Sequence, residues 1–119
     1  MRNFAPKTSA DLFAVLADRA RLSILFLLTD GERTVSDLIA HTGLSPATVS
    51  HHLRVLRLYR LVRARRAHRQ LFYHLAADGA MATAADGSLL LRAVGSWQVR
   101  VAPRPAAARP HVVTAAIPA

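Results

Sequence analysis

Between Ser45 and Arg57 the chain sets Ser45-Pro46-Ala47-Thr48 ahead of Ser50, His51, His52, Arg54 and Arg57, interleaved with Val49, Leu53 and Leu56. The three apolar residues stand at i, i+4 and i+7 and form one stripe on a helix. The opposite side then carries Ala47, Thr48, Ser50, His51, Arg54 and Arg57. Small side chains let a helix approach base edges closely, while His and Arg bring hydrogen bonds and positive charge to the same surface. Ser45 and Pro46 read as N-cap and first helical residue, which leaves a helix N-terminus whose dipole and N–H groups favour a phosphate. This is chemistry for contacting a nucleic acid.

A second basic cluster follows. After Tyr59 the period changes from helical to two, through Leu61-Val-Arg-Ala-Arg, a polar corner at Arg66-Ala-His-Arg, and Gln70-Leu-Phe-Tyr-His-Leu. That pattern predicts a β-hairpin bearing Arg63, Arg65, Arg66, His68 and Arg69. Seven arginines and no acidic residue lie between Leu38 and Ala77. A solvated face normally mixes charge signs, and charge on a hairpin can simply protect an exposed edge. A single-sign run over both elements is instead the footprint expected for duplex DNA.

The elements that must position these clusters are legible around them. Thr8-Ser9 precedes Leu12, Phe13 and Leu16, which is N-cap chemistry ahead of a helical stripe. Asp18 can cap a second helix over Leu22 to Leu28, apolar nearly all round and therefore central. Arg21 in its first turn has two open roles, a phosphate contact or a pair with Asp18. A third, short helix starts near Thr34 or Ser36, points Val35, Leu38 and Ile39 inward, and stops at Gly43. Residues 76 to 88 are rich in Ala and Gly with two Asp-Gly turn signals. A last helix is expected from about Ser88 to Trp97 on Leu89, Leu90, Leu91, Val94 and Trp97. The expected organisation is an N-terminal arm over 1–8, one domain over 9–97, and a disordered basic Pro/Ala-rich tail over 98–119.

Composition narrows the function classes. A 119-residue chain has room for one modest core. Its formal charge of +9 calls for a polyanionic partner, nucleic acid or an anionic membrane surface. All but Lys7 of the 16 basic residues are Arg. There is no cysteine, which excludes disulfides, thiol catalysis and thiolate metal sites. The apolar run Leu22 to Leu28 is too short to span a bilayer, and Met1-Arg-Asn-Phe-Ala-Pro lacks a signal-peptide stretch, so the expected location is cytoplasmic, without a membrane partner. No phosphate loop, no carboxylate pair and no Ser/His/Asp arrangement supports an enzyme. Two other readings stay open: a protein-interaction module that does not read DNA, and an RNA binder, for which surface aromatics are few.

Three segments carry a family resemblance: Leu16-Ala-Asp-Arg-Ala-Arg-Leu-Ser-Ile-Leu, Ser45-Pro-Ala-Thr-Val-Ser-His-His-Leu-Arg-Val-Leu, and Leu71-Phe-Tyr-His-Leu. Together they resemble the ArsR/SmtB family of bacterial transcriptional regulators over about residues 9 to 97. The resemblance implies a mainly α, winged helix-turn-helix fold: four helices, a β-hairpin wing, then a fifth helix. It also implies a homodimer formed through the first and last helices, here Leu12, Leu16, Leu90, Leu91, Val94 and Trp97. Double-stranded operator DNA would be read by Ser45, Ala47, Thr48, Ser50, His51, His52, Arg54 and Arg57, with Arg63, Arg65, Arg66, His68 and Arg69 on the wing. His52 either packs or donates to a phosphate.

The departures concern the effector. The family's Cys-x-Cys metal box is here Glu32-Arg-Thr-Val-Ser-Asp-Leu38, with Thr34 and Ser36 in place of the thiols. Hydroxyls are poor ligands for soft metals. The family's other metal site, on the fifth helix, falls on Ala77, Gly79, Leu90 and Ala93, none of them a ligand. Six histidines remain: His41, His51, His52, His68, His74 and His111. His51 and His52 point about 100° apart on a helix and do not chelate together. The family includes Cys-free nickel sensors that use His and oxygen ligands. A metal-responsive reading therefore puts nickel first, then zinc or cobalt, on His74, Asp78 and His111. Finally, Arg60 stands at the helix-to-wing junction where the family usually has Gly.

Overall fold

Capping chemistry sets the helical half of the molecule. The computed structural model describes residues 9–76, 81–92 and 98–102. Helix α1 spans Ser9–Leu16 and buries Leu12, Val15 and Leu16, the i, i+3, i+4 face of a two-turn helix. Asp18 then caps α2 (Arg19–Leu28), its carboxylate accepting from the amides of Ala20 at 2.9 Å and Arg21 at 3.1 Å. Ile24, Leu25 and Leu28 of α2 lie at the centre of the core. Helix α3 (Val35–Thr42) opens on a capping box: the Thr34 hydroxyl accepts from the Asp37 amide, and the Asp37 carboxylate from the Thr34 amide. It closes on Gly43, whose φ of 71° is the left-handed conformation that glycine adopts without a Cβ clash.

Helix α4 (Pro46–Leu58) starts at Ser45 and buries Val49, Leu53 and Leu56 against the core, as the stripe predicts. Its exit is unusual. Arg60 sits at φ 61° after the C-cap Tyr59. The Arg60 amide donates to the Arg57 carbonyl at 2.9 Å and the Leu61 amide to the Leu56 carbonyl at 2.9 Å. That bonding pattern is a Schellman motif, sealed by Leu56 and Leu61, which are both fully buried. An arginine therefore holds the position that favours glycine.

The wing is a three-stranded sheet rather than a bare hairpin. Strands β2 (Val62–Ala67) and β3 (Gln70–Leu75) pair antiparallel from Val62↔Leu75 to Ala67↔Gln70. The two-residue loop His68-Arg69 has both φ angles positive, 51° and 65°, a type I′ geometry that matches the twist of the strands. The short strand β1 (Arg33–Thr34), between α2 and α3, pairs with β3 on the other side.

The chain after the wing departs from expectation. Leu89–Arg92, predicted to begin a helix running to Trp97, is strand β5, between β4 (Met81–Thr83) and β6 (Gln98–Val101). Three consecutive leucines fit a helical stripe and a strand equally well; the Asp86-Gly87 turn decides. Gly87 takes φ 85°, and the Ala84 amide donates to the Ser88 carbonyl at 2.8 Å, so Leu89 enters already paired with Thr83. Leu89 and Leu91 face the core with Met81, while Leu90 lies on the other face, half-buried. Gln98–Val101, assigned to the disordered tail, alternates polar and β-branched residues and places Val99 and Val101 against the same core. The 97/98 boundary is thus displaced. The arm over 1–8, residues 103–119, and Val94 and Trp97 lie outside the described residues.

Candidate nucleic-acid interface

Ser45 organises the start of α4. Its hydroxyl accepts from the Thr48 amide at 3.2 Å and shares a 2.8 Å hydrogen bond with the Thr48 hydroxyl. Thr48 is half-buried and its hydroxyl is tied to the cap. Ala47, Ser50, His51, Arg54 and Arg57 are all exposed and share the side opposite the buried stripe. Leu58 ends this side, 42% exposed. A groove of about 460 Å³ runs between it and the wing, lined by Ser50, Arg54, Arg57, Leu58 and Tyr73. No carboxylate lines it.

His52 is placed elsewhere. It is 8% exposed, on the buried side of α4, where its Nδ1 accepts from the Nε–H of Arg21 at 3.3 Å. This corrects its assignment to the DNA-contacting set: the ring packs, and its polar atom is held by another residue of the chain. Its ring centroid lies 5.5 Å from that of His51. Arg21 is engaged within the chain as well: its guanidinium donates to His52 and, at 2.9 Å, to the Val15 carbonyl. Asp18 serves the backbone: the Arg21 amide hydrogen bond, ahead of the nearby Arg21 charge, holds its carboxyl below the ordinary 3.8.

The strand register divides the wing cations. Ala64↔Tyr73 and Arg66↔Leu71 share the face that lines the α4 groove, whereas Arg63↔His74 and Arg65↔Phe72 point to the other face. There Arg65 stacks over Phe72 at 5.1 Å and pairs with Glu32 at 2.5 Å. That hydrogen bond is the main reason the Glu32 carboxyl is lowered and the Arg65 guanidinium raised from their ordinary values. Arg66 is exposed on the groove side, and His68 and Arg69 are exposed at the wing tip. Neither β1 nor the Glu32–Arg65 pair was anticipated from sequence. Both depend on the two-residue pairing Arg33↔Tyr73 and Thr34↔Phe72, too short to leave a periodic signal.

Most of the described dimer candidates lie in the core, and the described metal candidates do not gather. Leu12, Leu16 and Leu91 are 1%, 5% and 3% exposed within one chain, packed on each other's cluster rather than left as a free patch. Among the described residues no three His, Asp or Glu side chains gather to hold a metal ion. His74 is half-buried, its Nδ1 3.2 Å from the Leu75 carbonyl, and the neighbouring Glu32 is bound by Arg65. Asp78 and His111 lie outside the described residues. His74 and its described neighbours do not compose a nickel site.

Among the described residues, four helices with a β wing and a solvent-facing second helix of the helix-turn-helix define a winged helix-turn-helix protein. A family model described as "Bacterial regulatory protein, arsR family" matches residues 18–64. The transcriptional repressor SmtB homolog of Synechocystis is 43% identical over 72 residues, 60% of this chain and 54% of that one. The crystal structure of Rv0081 from Mycobacterium tuberculosis superposes with a TM-score of 0.56 at 39% identity, covering 57% of this chain and 69% of that one. The solution structure of the homodimeric winged helix-turn-helix DNA-binding domain Mb0332 from Mycobacterium bovis gives 0.51 at 40% identity, covering 53% and 58%. The chain belongs to the ArsR family, whose named members here are transcriptional regulators and not enzymes. It spans about half the length of the first curated relatives it matches, at 54%, 50% and 54%. No helix among the described residues is long and apolar enough to cross a membrane.

Proposed function

We propose that this chain is a sequence-specific, double-stranded DNA-binding transcriptional regulator that works as a homodimer. One observation carries this: Ala47, Ser50, His51, Arg54 and Arg57 form a continuous exposed, acid-free face on α4, beside a groove shared with the wing. A helix of that shape enters a major groove with its small residues against base edges. Arg66, His68 and Arg69 then lie where a wing meets phosphates or the minor groove. The dimer is supported by the homodimeric Mb0332 domain; with Leu12, Leu16 and Leu91 already covered, its surface draws on other residues than those three. A protein-interaction module, the alternative, would place an acidic partner on this face and bind no duplex DNA.

A relative from Staphylococcus aureus is an arsenical resistance operon repressor. This chain has no thiolate for such a soft ion. A nickel, zinc or cobalt effector would fall to His74 with Asp78 and His111, and a nickel titration read by DNA affinity tests it. The function itself is tested by duplex affinity against salt. Log affinity falls with log salt by about 0.9 per phosphate neutralised, so several contacts give a steep line. A flat line would exclude DNA as the partner.

A further inference from the structure

A second groove, of about 620 Å³, lies away from the α4 face, between α2 and the turn that joins α3 to α4. Ala20, Phe26, Leu27 and Leu44 give it apolar walls, and Arg19, Ser23, His41 and Thr42 complete it. Its volume falls in the range of small-molecule sites, and its composition, apolar walls with few polar groups, is theirs as well. We propose that this groove binds a small apolar molecule carrying one carboxylate, and that its occupancy alters DNA affinity.

The ligand class follows from which polar groups remain available. The Thr42 hydroxyl is engaged, donating to the Leu38 carbonyl at 2.6 Å and accepting from the Leu44 amide at 3.3 Å. The His41 Nδ1 is held by the Asp37 carbonyl at 2.8 Å. Among the described residues the Arg19 guanidinium has no ion-pair partner, and the neighbouring Asp18 carboxylate is turned to the backbone amides of Ala20 and Arg21. No acidic side chain lines the groove. A permanent cation at the rim, the exposed Ser23 hydroxyl beside it and an apolar interior match a carboxylate head on an apolar body.

The coupling follows from position. Thr42 and Leu44 flank Gly43, the left-handed cap of α3, and Leu44 directly precedes Ser45, the cap of α4. A ligand against Leu44 bears on the turn that sets the angle between the two helices. Differential affinity for two settings of that turn is what shifts DNA binding. Only this coupling rests on the DNA-binding function proposed above; ligand capture does not.

The test uses the full chain, sodium decanoate as probe, 1-decanol as its neutral counterpart, and the variants Arg19→Gln and Ser23→Trp, each checked for folding by circular dichroism. Calorimetry is expected to find one saturable decanoate site, weakened at least tenfold by Arg19→Gln, lost with Ser23→Trp, and at least tenfold weaker for decanol. Saturating decanoate is expected to change DNA affinity at least threefold in the unsubstituted chain and not in Ser23→Trp. Absence of saturable binding, or equal binding by the folded variants, overturns the site. Unchanged DNA affinity at saturation overturns the coupling. If Arg19→Gln instead weakens DNA binding alone, Arg19 is a phosphate contact and the assignment falls. If Ser23→Trp dissociates a dimer in sedimentation and decanoate does not bind, the groove is an interface between copies. A chain that binds decanoate but no duplex leaves the site standing and removes the DNA function.

Discussion

Arg21 and His52 meet side chain to side chain, the Nε–H of one donating to Nδ1 of the other at 3.3 Å, with the ring 8% exposed. The same guanidinium reaches the Val15 carbonyl at 2.9 Å. One cation thus joins the end of α1, the start of α2 and the middle of α4 beneath the candidate reading face. Because Nδ1 accepts, the ring proton belongs on Nε2. His52→Ala is expected to cost about 1–3 kcal/mol in urea unfolding, since it leaves a part-buried guanidinium N–H unpaired. The preference for operator over scrambled duplex should stay unchanged. An unaltered unfolding midpoint with a lost preference would move the ring back to the DNA.

Arg60 gives a stability prediction of the opposite sign. At φ 61° a non-glycine residue is strained, by roughly 1 kcal/mol. Arg60→Gly should therefore raise stability by about 1 kcal/mol and the thermal midpoint by several degrees. Calorimetric scanning decides; a lower midpoint would show that the arginine side chain makes up the strain elsewhere.

Asp18 supplies a pH signature. Its carboxyl is held below 3.8 chiefly by the Arg21 amide. A depressed carboxyl contributes stability that is full above the unfolded pKa and is lost as pH falls through the folded one. Removing the cap with Asp18→Ala should cost about 0.5–2 kcal/mol at pH 7, and the difference from the unsubstituted chain should shrink below pH 3.8. Asp18→Asn, which keeps a capping oxygen, should lose much less at pH 7. Urea midpoints across that pH range measure both, and a pH-independent gap would refute the linkage.

Helix ends were the most legible features of the chain. Asp18, Ser45 and Gly43 announce helix ends because capping is local: the Asp18 and Ser45 side chains meet backbone within three residues, and Gly43 needs only its own left-handed φ. The α4 face was legible because one helical period separates buried from exposed. The Arg21–His52 contact spans 31 residues in sequence and Glu32–Arg65 spans 33, and no local pattern encodes such separations. Leu89–Arg92, the start of the expected last helix, is a strand whose leucines Leu89, Leu90 and Leu91 satisfy both periods. The pairing with Met81–Thr83 and Gln98–Val101 is a tertiary fact.

The Glu32–Arg65 pair predicts a gain of affinity. Glu32 holds Arg65 on the wing face away from the α4 groove. Glu32→Gln removes one negative charge and releases that guanidinium, so it should tighten both operator and random duplex and steepen the salt slope by up to about 0.9. Arg66→Ala, on the groove side, should weaken both duplexes by similar factors, and Arg65→Ala should do so less. Anisotropy titrations at several salt concentrations compare them. Equal losses for Arg65→Ala and Arg66→Ala would contradict the division of the wing.

Under the proposed function, α4 reads sequence while the wing positions the protein. Arg54 and His51 are exposed on the α4 face, opposite Val49, Leu53 and Leu56. The most direct measurement is the affinity of Arg54→Ala and His51→Ala for operator and scrambled duplexes at one salt concentration, with the operator taken from genomic DNA selected by the unsubstituted chain. A direct base contact predicts that each variant loses about 1–3 kcal/mol more on operator than on scrambled DNA. Equal losses on the two duplexes would mean that α4 only positions the protein, contradicting its assignment as the recognition helix.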